Sequence, residues 1–156
     1  MSESNLIEAV ARRNLVAVRT AIENGEDINL KGVDGNTALI EAVVQGDGDI
    51  ASELLQRGAD PNARNDEGWT ALHFAAEEHK IELAALLLQH GAEIDVEDRH
   101  GNTPLARAVF SSRGRGDMIA RLLAMNADKN HPNRYGVTPF DLAARIANYD
   151  VARFLR

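Results

Sequence analysis

The chain has 156 residues, 44 % of them hydrophobic and 26 % charged, the make-up of one soluble globular domain. Its formal net charge of −7, from 17 Lys and Arg against 24 Asp and Glu, argues against a nucleic-acid binder and against a polybasic membrane tether. With no cysteine there is no disulfide, thiolate zinc site or cysteine nucleophile, and four Phe, two Tyr and one Trp leave the core to Ala, Leu, Ile and Val, which must make many small close contacts.

At the N-terminus, Met1–Arg13 carries Glu3 and Glu8 and no long apolar run, so no secretory signal is expected. No apolar stretch anywhere is long enough for a membrane helix, and the expected location is cytoplasmic. Leu6–Arg13 and Leu15–Glu23 read as a helix pair with no preceding hairpin. From there the text repeats. Gly35, Gly68, Gly101 and Gly136 each stand two residues before Thr37, Thr70, Thr103 and Thr138, at spacings of 33, 33 and 35. A second series, Gly25, Gly58 and Gly91, keeps the same step, and Asn126 takes the fourth place.

Each repeat predicts the same local structure. The Thr is a helix N-cap, and Pro104 and Pro139 suit the first helical position because their missing N–H would be an orphan there. Apolar residues at Leu72, Ala75 and Ala76, and at Leu105, Ala108 and Val109, mark a first helix. Ile81, Ala84, Leu87 and Leu88 mark a second, ending at a residue suited to the left-handed C′ position. The polar stretch that follows, such as Asn62–Gly68, suits a β-hairpin. Ala42, Ala75, Ala108 and Ala143 are expected to let first helices approach closely, with Leu54, Leu87, Leu122 and Leu123 sealing the second-helix layer.

This pattern resembles the ankyrin repeat, which has a period of 33 and a Thr-Pro-Leu-His-x-Ala signature. The resemblance implies an all-α solenoid, a stack of helix-turn-helix units joined by β-hairpin-like loops. Five units are expected in one domain spanning 1–156, at about 2–31, 32–64, 65–97, 98–132 and 133–156, the first and last degenerate. Only His73 keeps the signature His, so the Thr–His side-chain bond implied by the family is expected once at most.

Chemistry is harder to find. His73, His79, His90, His100 and His131 form no HExxH or i, i+4 pair and fall at unrelated repeat positions. Gly46-Asp-Gly-Asp49 lacks the spacing of a calcium loop and reads as a helix–helix connection. Arg113-Gly-Arg-Gly116 lacks the Gly-Lys-Ser/Thr of a phosphate loop and reads as the two-residue insertion of the fourth unit, flexible and locally positive. The acids Asp66, Glu67, Glu77, Glu78 and Glu82 read as a solvated face with nothing to shift their pKa values. No catalytic triad or nucleophile elbow stands out, so no enzyme, no catalytic or metal residue and no cofactor is expected.

The resemblance implies instead a module that grips another protein on a concave face of turn tips and inner helices. Its contact positions map here to Asp34 and Asn36; Asp66, Glu67 and Trp69; Arg99, His100 and Asn102; and Arg134 and Tyr135. On the inner helices they map to Glu77, Glu78 and Phe110, and Phe74 is added because its repeat counterparts Glu41 and Arg107 are charged. Trp69 replaces Asn36 and Asn102 of neighbouring units, so an interface anchor competes with local packing as its role. Charge splits along this face, with acids in the second and third units and Arg99, His100, Arg134 and Arg145 in the last two. The partner is expected to be a protein rather than nucleic acid or membrane, and the chain itself a monomer. A small inhibitor or immunity-type protein masking an enzyme or toxin is the alternative within this class.

Overall fold

Thr37, Thr103 and Thr138 sit in extended backbone just before a helix, and each hydroxyl oxygen accepts the N–H three residues on, from Ile40, Ala106 and Asp141 at 3.0–3.3 Å. These caps start α3 (Ala38–Gln45), α7 (Pro104–Phe110) and α9 (Pro139–Arg145). Thr70 starts α5 (Ala71–Glu77) by a different route, described below. The computed structural model describes residues 5–156, so residues 2–4 of the first expected unit, and Glu3 with them, lie outside the described residues. The remaining helices are α1 (Asn5–Ala11), α2 (Leu15–Glu23), α4 (Gly48–Gln56), α6 (Ile81–Gln89) and α8 (Asp117–Ala124).

The helices form two layers. In one, α1, α3, α5, α7 and α9 pack in sequence; in the other, α2, α4, α6 and α8 do so, each helix also packing on its hairpin mate. Ala42, Ala75 and Ala108 are fully buried in the inner layer and Ala143 nearly so. Leu54, Leu87 and Leu122 are fully buried in the outer layer, while Leu123 is only half-buried. Small side chains let the inner helices approach more closely than the outer ones. The left-handed C′ position falls where the repeat places it, with Asn126 at φ +67° in the place of Gly91 at +92°.

The loops between units are tighter than hairpins. Each is spanned by a backbone hydrogen bond from Gly32 to Asn36, Asn65 to Trp69, Asp98 to Asn102 and Asn133 to Val137, at 2.8–2.9 Å, with a second inside it from the glycine N–H to the first carbonyl. Among the described residues there is a single isolated β-bridge, Lys31 with Thr37. No ladder grows because Thr37 is itself the helix N-cap and the chain turns into α3 at the next residue. Neighbouring turns are then joined: the N–H groups of Asp66, Arg99 and Arg134 donate to the carbonyls of Asp34, Glu67 and His100 at 3.0–3.1 Å.

The C-terminal unit departs from the others. After α9 the chain forms a 3₁₀ helix, Val151–Leu155, that packs on α8 and α9, and Lys129 Nζ donates to the Leu155 carbonyl at 2.6 Å. The inserted segment after α7 is held by this closing element rather than left loose. A Cβ added at Gly114 would lie 2.7 Å from the Tyr149 ring, and one at Gly116 would run into the Phe154 ring. The two glycines are thus explained by ring contact, not by flexibility. Phe140 is half-buried against the core, Phe154 half-buried and Tyr149 exposed.

Candidate protein interface

The turns are built by asparagine and aspartate. Asn65 Oδ1 accepts from the N–H groups of Glu67 and Trp69, and Asn133 Oδ1 from those of Tyr135 and Val137, at 2.9–3.0 Å. Their amide nitrogens then donate across to the preceding turn, Asn65 to Asn36 Oδ1 at 3.0 Å and Asn133 to Asn102 Oδ1 at 2.9 Å. Asn36 and Asn102, mapped as contact positions, are half-buried partners in these pairs.

Between the second and third turns the same pair cannot form, because Trp69 and Asp98 occupy its two places. Asp98 Oδ1 still accepts from His100 and Asn102 N–H, at 2.8 and 2.9 Å. Its other oxygen, with no amide to meet, takes the Arg107 guanidinium through Nε and Nη2. The guanidinium carbon stands 4.4 Å over the Trp69 ring, and Phe74 meets that ring from the side with centroids 4.8 Å apart. The Asp98 side chain is wholly buried. Burial would raise its pKa, but Arg107 and the two backbone donors hold it below the usual carboxylate value. Trp69 and Phe74 are therefore half-buried and engaged in packing, with only part of each ring open.

The exposed candidates are Asp34, Asp66, Glu67, Glu78, Arg99, His100, Phe110, Arg134 and Tyr135. Two large rings stand out: Phe110 is 65 % exposed and Tyr135 74 %. Tyr135 lies roughly parallel to the His100 ring at 6.4 Å between centroids. Arg99 is partly spent within the stack, donating to the Asp66 carbonyl and reaching Glu67 at 3.7 Å, and Glu78 pairs with Lys80. Among the described residues, Arg134 and Arg145 form no ion pair within 4.0 Å, nor do Asp34 and Asp66.

Glu77 departs from the solvated acidic face expected for it. It is half-buried, one carboxylate oxygen has no hydrogen-bond partner, and burial raises its pKa, with Arg107 pulling the other way and Glu78 adding to the rise. The low-dielectric wall comes from the neighbouring inner helices, which the sequence alone does not place beside it.

His73 makes the one Thr–His bond of the chain's described residues. Its Nδ1 accepts the Thr70 N–H at 3.1 Å, which leaves Nε2 to donate to the Asn102 carbonyl at 3.0 Å. Its ring bridges two units and is fully buried. Burial pushes its pKa down from 6.5 to about 4, against the pull of the Asn102 carbonyl and the Asp98 carboxylate. Protonation therefore favours the unfolded chain, and stability is complete above about pH 6.5 and falls as pH drops toward 4. Between pH 7 and pH 5 the loss is expected to be about 2 kcal/mol. Half-buried His79, also lowered by burial, adds in the same direction. Urea denaturation at the two pH values checks this, and His73→Gln should show a clearly smaller fall.

Among the described residues no group of three or more His, Asp or Glu is placed to hold a metal ion, and no helix is long and apolar enough to cross a membrane. A family model described as ankyrin repeats (3 copies) matches residues 2–65 and 58–133. No curated protein matches the chain.

Proposed function

Because the chain belongs to the ankyrin repeat family, whose members generally act as protein–protein interaction modules, we propose that it is a non-enzymatic binding module that holds one protein partner against its inner helices and turn tips. Residues 1–156 act as one such module of five units. The observation that carries the reading is the pair of exposed rings, Phe110 and Tyr135, on the inner helix and turn. Neither ring is needed to close the core, and aromatic side chains are over-represented among the residues that dominate binding energy. Trp69 extends the same surface, with Phe74, the acids Asp34, Asp66, Glu67, Glu77 and Glu78, and the bases Arg99, His100 and Arg134 around it.

The packing of Trp69 changes how it must be tested. Trp69→Ala is expected to weaken partner binding by about 2 kcal/mol or more, but it also strips the ring from under Arg107, so stability falls with it. Tyr135→Ala and Phe110→Ala are cleaner. With the partner captured from the source organism, each is expected to weaken its binding about tenfold, roughly 1.4 kcal/mol, at an unchanged melting temperature. Affinity unchanged in both variants would place the interface elsewhere. Assaying the captured partner's own activity with and without this chain separates a masking inhibitor from a scaffold.

A further inference from the structure

A small cavity of about 180 Å³ opens between α7, α9 and the last two turns. Ala106, Phe110, Val137 and Leu142 give it apolar walls, and Arg107 and Asn133 stand at its polar side. It is the size of one aliphatic side chain, with Phe110 exposed at its rim. The charges on either side differ in sign. Toward the middle of the chain, half-buried Glu77 stands one repeat before Phe110 on the same row of the inner helices, with exposed Glu78 beside it. Toward the C-terminal end, Arg145 occupies the same row and Arg134 the last turn, and neither has an ion-pair partner among the described residues.

We propose that this cavity and its flanking charges read an extended segment of the partner: an apolar side chain seated between Phe110 and Leu142, a basic side chain reaching Glu77, and an acidic side chain reaching Arg134 and Arg145. The inference rests on the inner face being the binding surface and adds the chemistry of what binds there. The apolar residue supplies most of the affinity, because the cavity takes it out of water between Phe110 and Leu142. The two charges set the direction of the segment, because reversing it would bring like charges together.

The test uses the full chain as bait and a displayed library of random dodecapeptides as probe. Enriched sequences are expected to share an apolar residue between a base on one side and an acid on the other, in a fixed order. Phe110→Asp is expected to weaken the best such peptide at least about tenfold, at an unchanged melting temperature. Double replacement Arg134→Glu with Arg145→Glu is expected to remove the preference for the acid and keep the apolar residue. Enrichment without charge order, peptides indifferent to Phe110→Asp, or no enrichment at all would each overturn the inference. Peptides that ignore Phe110→Asp but lose binding on Tyr135→Ala would do so while leaving the inner face as the binding surface. Peptides indifferent to both substitutions would remove both readings.

Discussion

Asp98→Ala is expected to lower the free energy of unfolding by about 3–5 kcal/mol, the range for removing one member of a buried ion pair. Its carboxylate, wholly buried, satisfies the N–H groups of His100 and Asn102 and the guanidinium of Arg107. Alanine orphans all of them, and Arg107, only 19 % exposed, has little water to turn to. Asp98→Asn keeps the acceptor for both backbone donors, as Asn65 and Asn133 do in their own turns, and is expected to cost clearly less. Joining it to Trp69→Asn recreates the amide pair seen between Asn36 and Asn65. The two substitutions together should therefore cost less than the sum of each alone. Urea denaturation of the four proteins gives the comparison, and additive losses would mean that the turn does not work as a pair.

Gly101→Ala is the second large effect, expected at about 2–4 kcal/mol from two sources. The residue sits at φ +77°, where an L side chain is strained. Its new Cβ would also lie 2.9 Å from the backbone nitrogen of Arg134, whose N–H bonds to the His100 carbonyl at 3.0 Å. Backbone cannot swing away as a flexible side chain can, so the turns must part and loosen that bond. Gly136 provides the control. It has nearly the same conformation, φ +71°, but nothing lies within 4 Å of its would-be Cβ. Gly136→Ala should therefore lose only the conformational part, about 1–2 kcal/mol. Equal losses at the two positions would show that the turns are not tightly stacked.

The helices were legible in the sequence because each is specified locally. Thr37, Thr103 and Thr138 cap them, and the Ala and Leu positions recur every unit, so the packing of one repeat predicts that of the next. The turn chemistry was not legible, because it joins residues 29 or 31 apart, as Asn65 with Asn36 and Asn133 with Asn102. Asn36 and Asn102 look like free polar tips until the next unit is set beside them. Trp69 shows the same limit. Its polar counterparts mark it correctly as exceptional, yet its meaning depends on Asp98 and Arg107, which replace an amide with a carboxylate and supply the cation that answers it. The signal was present as a correlated change at two repeat positions. The glycines at 114 and 116 were equally opaque, since the rings that require them lie in the closing segment more than thirty residues later. The pKa rise at Glu77 has the same origin, in burial by neighbouring helices.

The exposed positions were better anticipated. Phe110 and Tyr135 fall at contact positions that the repeat register maps, and both stand open in the structure. Along the same surface the charges divide as the repeat register implies, although Arg99 is partly consumed by Asp66 and Glu67 of the adjoining turn. On this face, Arg134 and Arg145 are cations with no ion-pair partner among the described residues.

Site-specific photo-cross-linking tests the central claim most directly. A photoreactive phenylalanine analogue is placed in turn at Phe110 and Tyr135, on the inner face, and at Gln56 and Arg121, exposed on the outer helices α4 and α8. Each protein is irradiated in an extract of the source organism. Adducts with one and the same protein are expected from positions 110 and 135 and not from 56 and 121. Adducts from 56 or 121 alone would contradict the inner face as the binding surface.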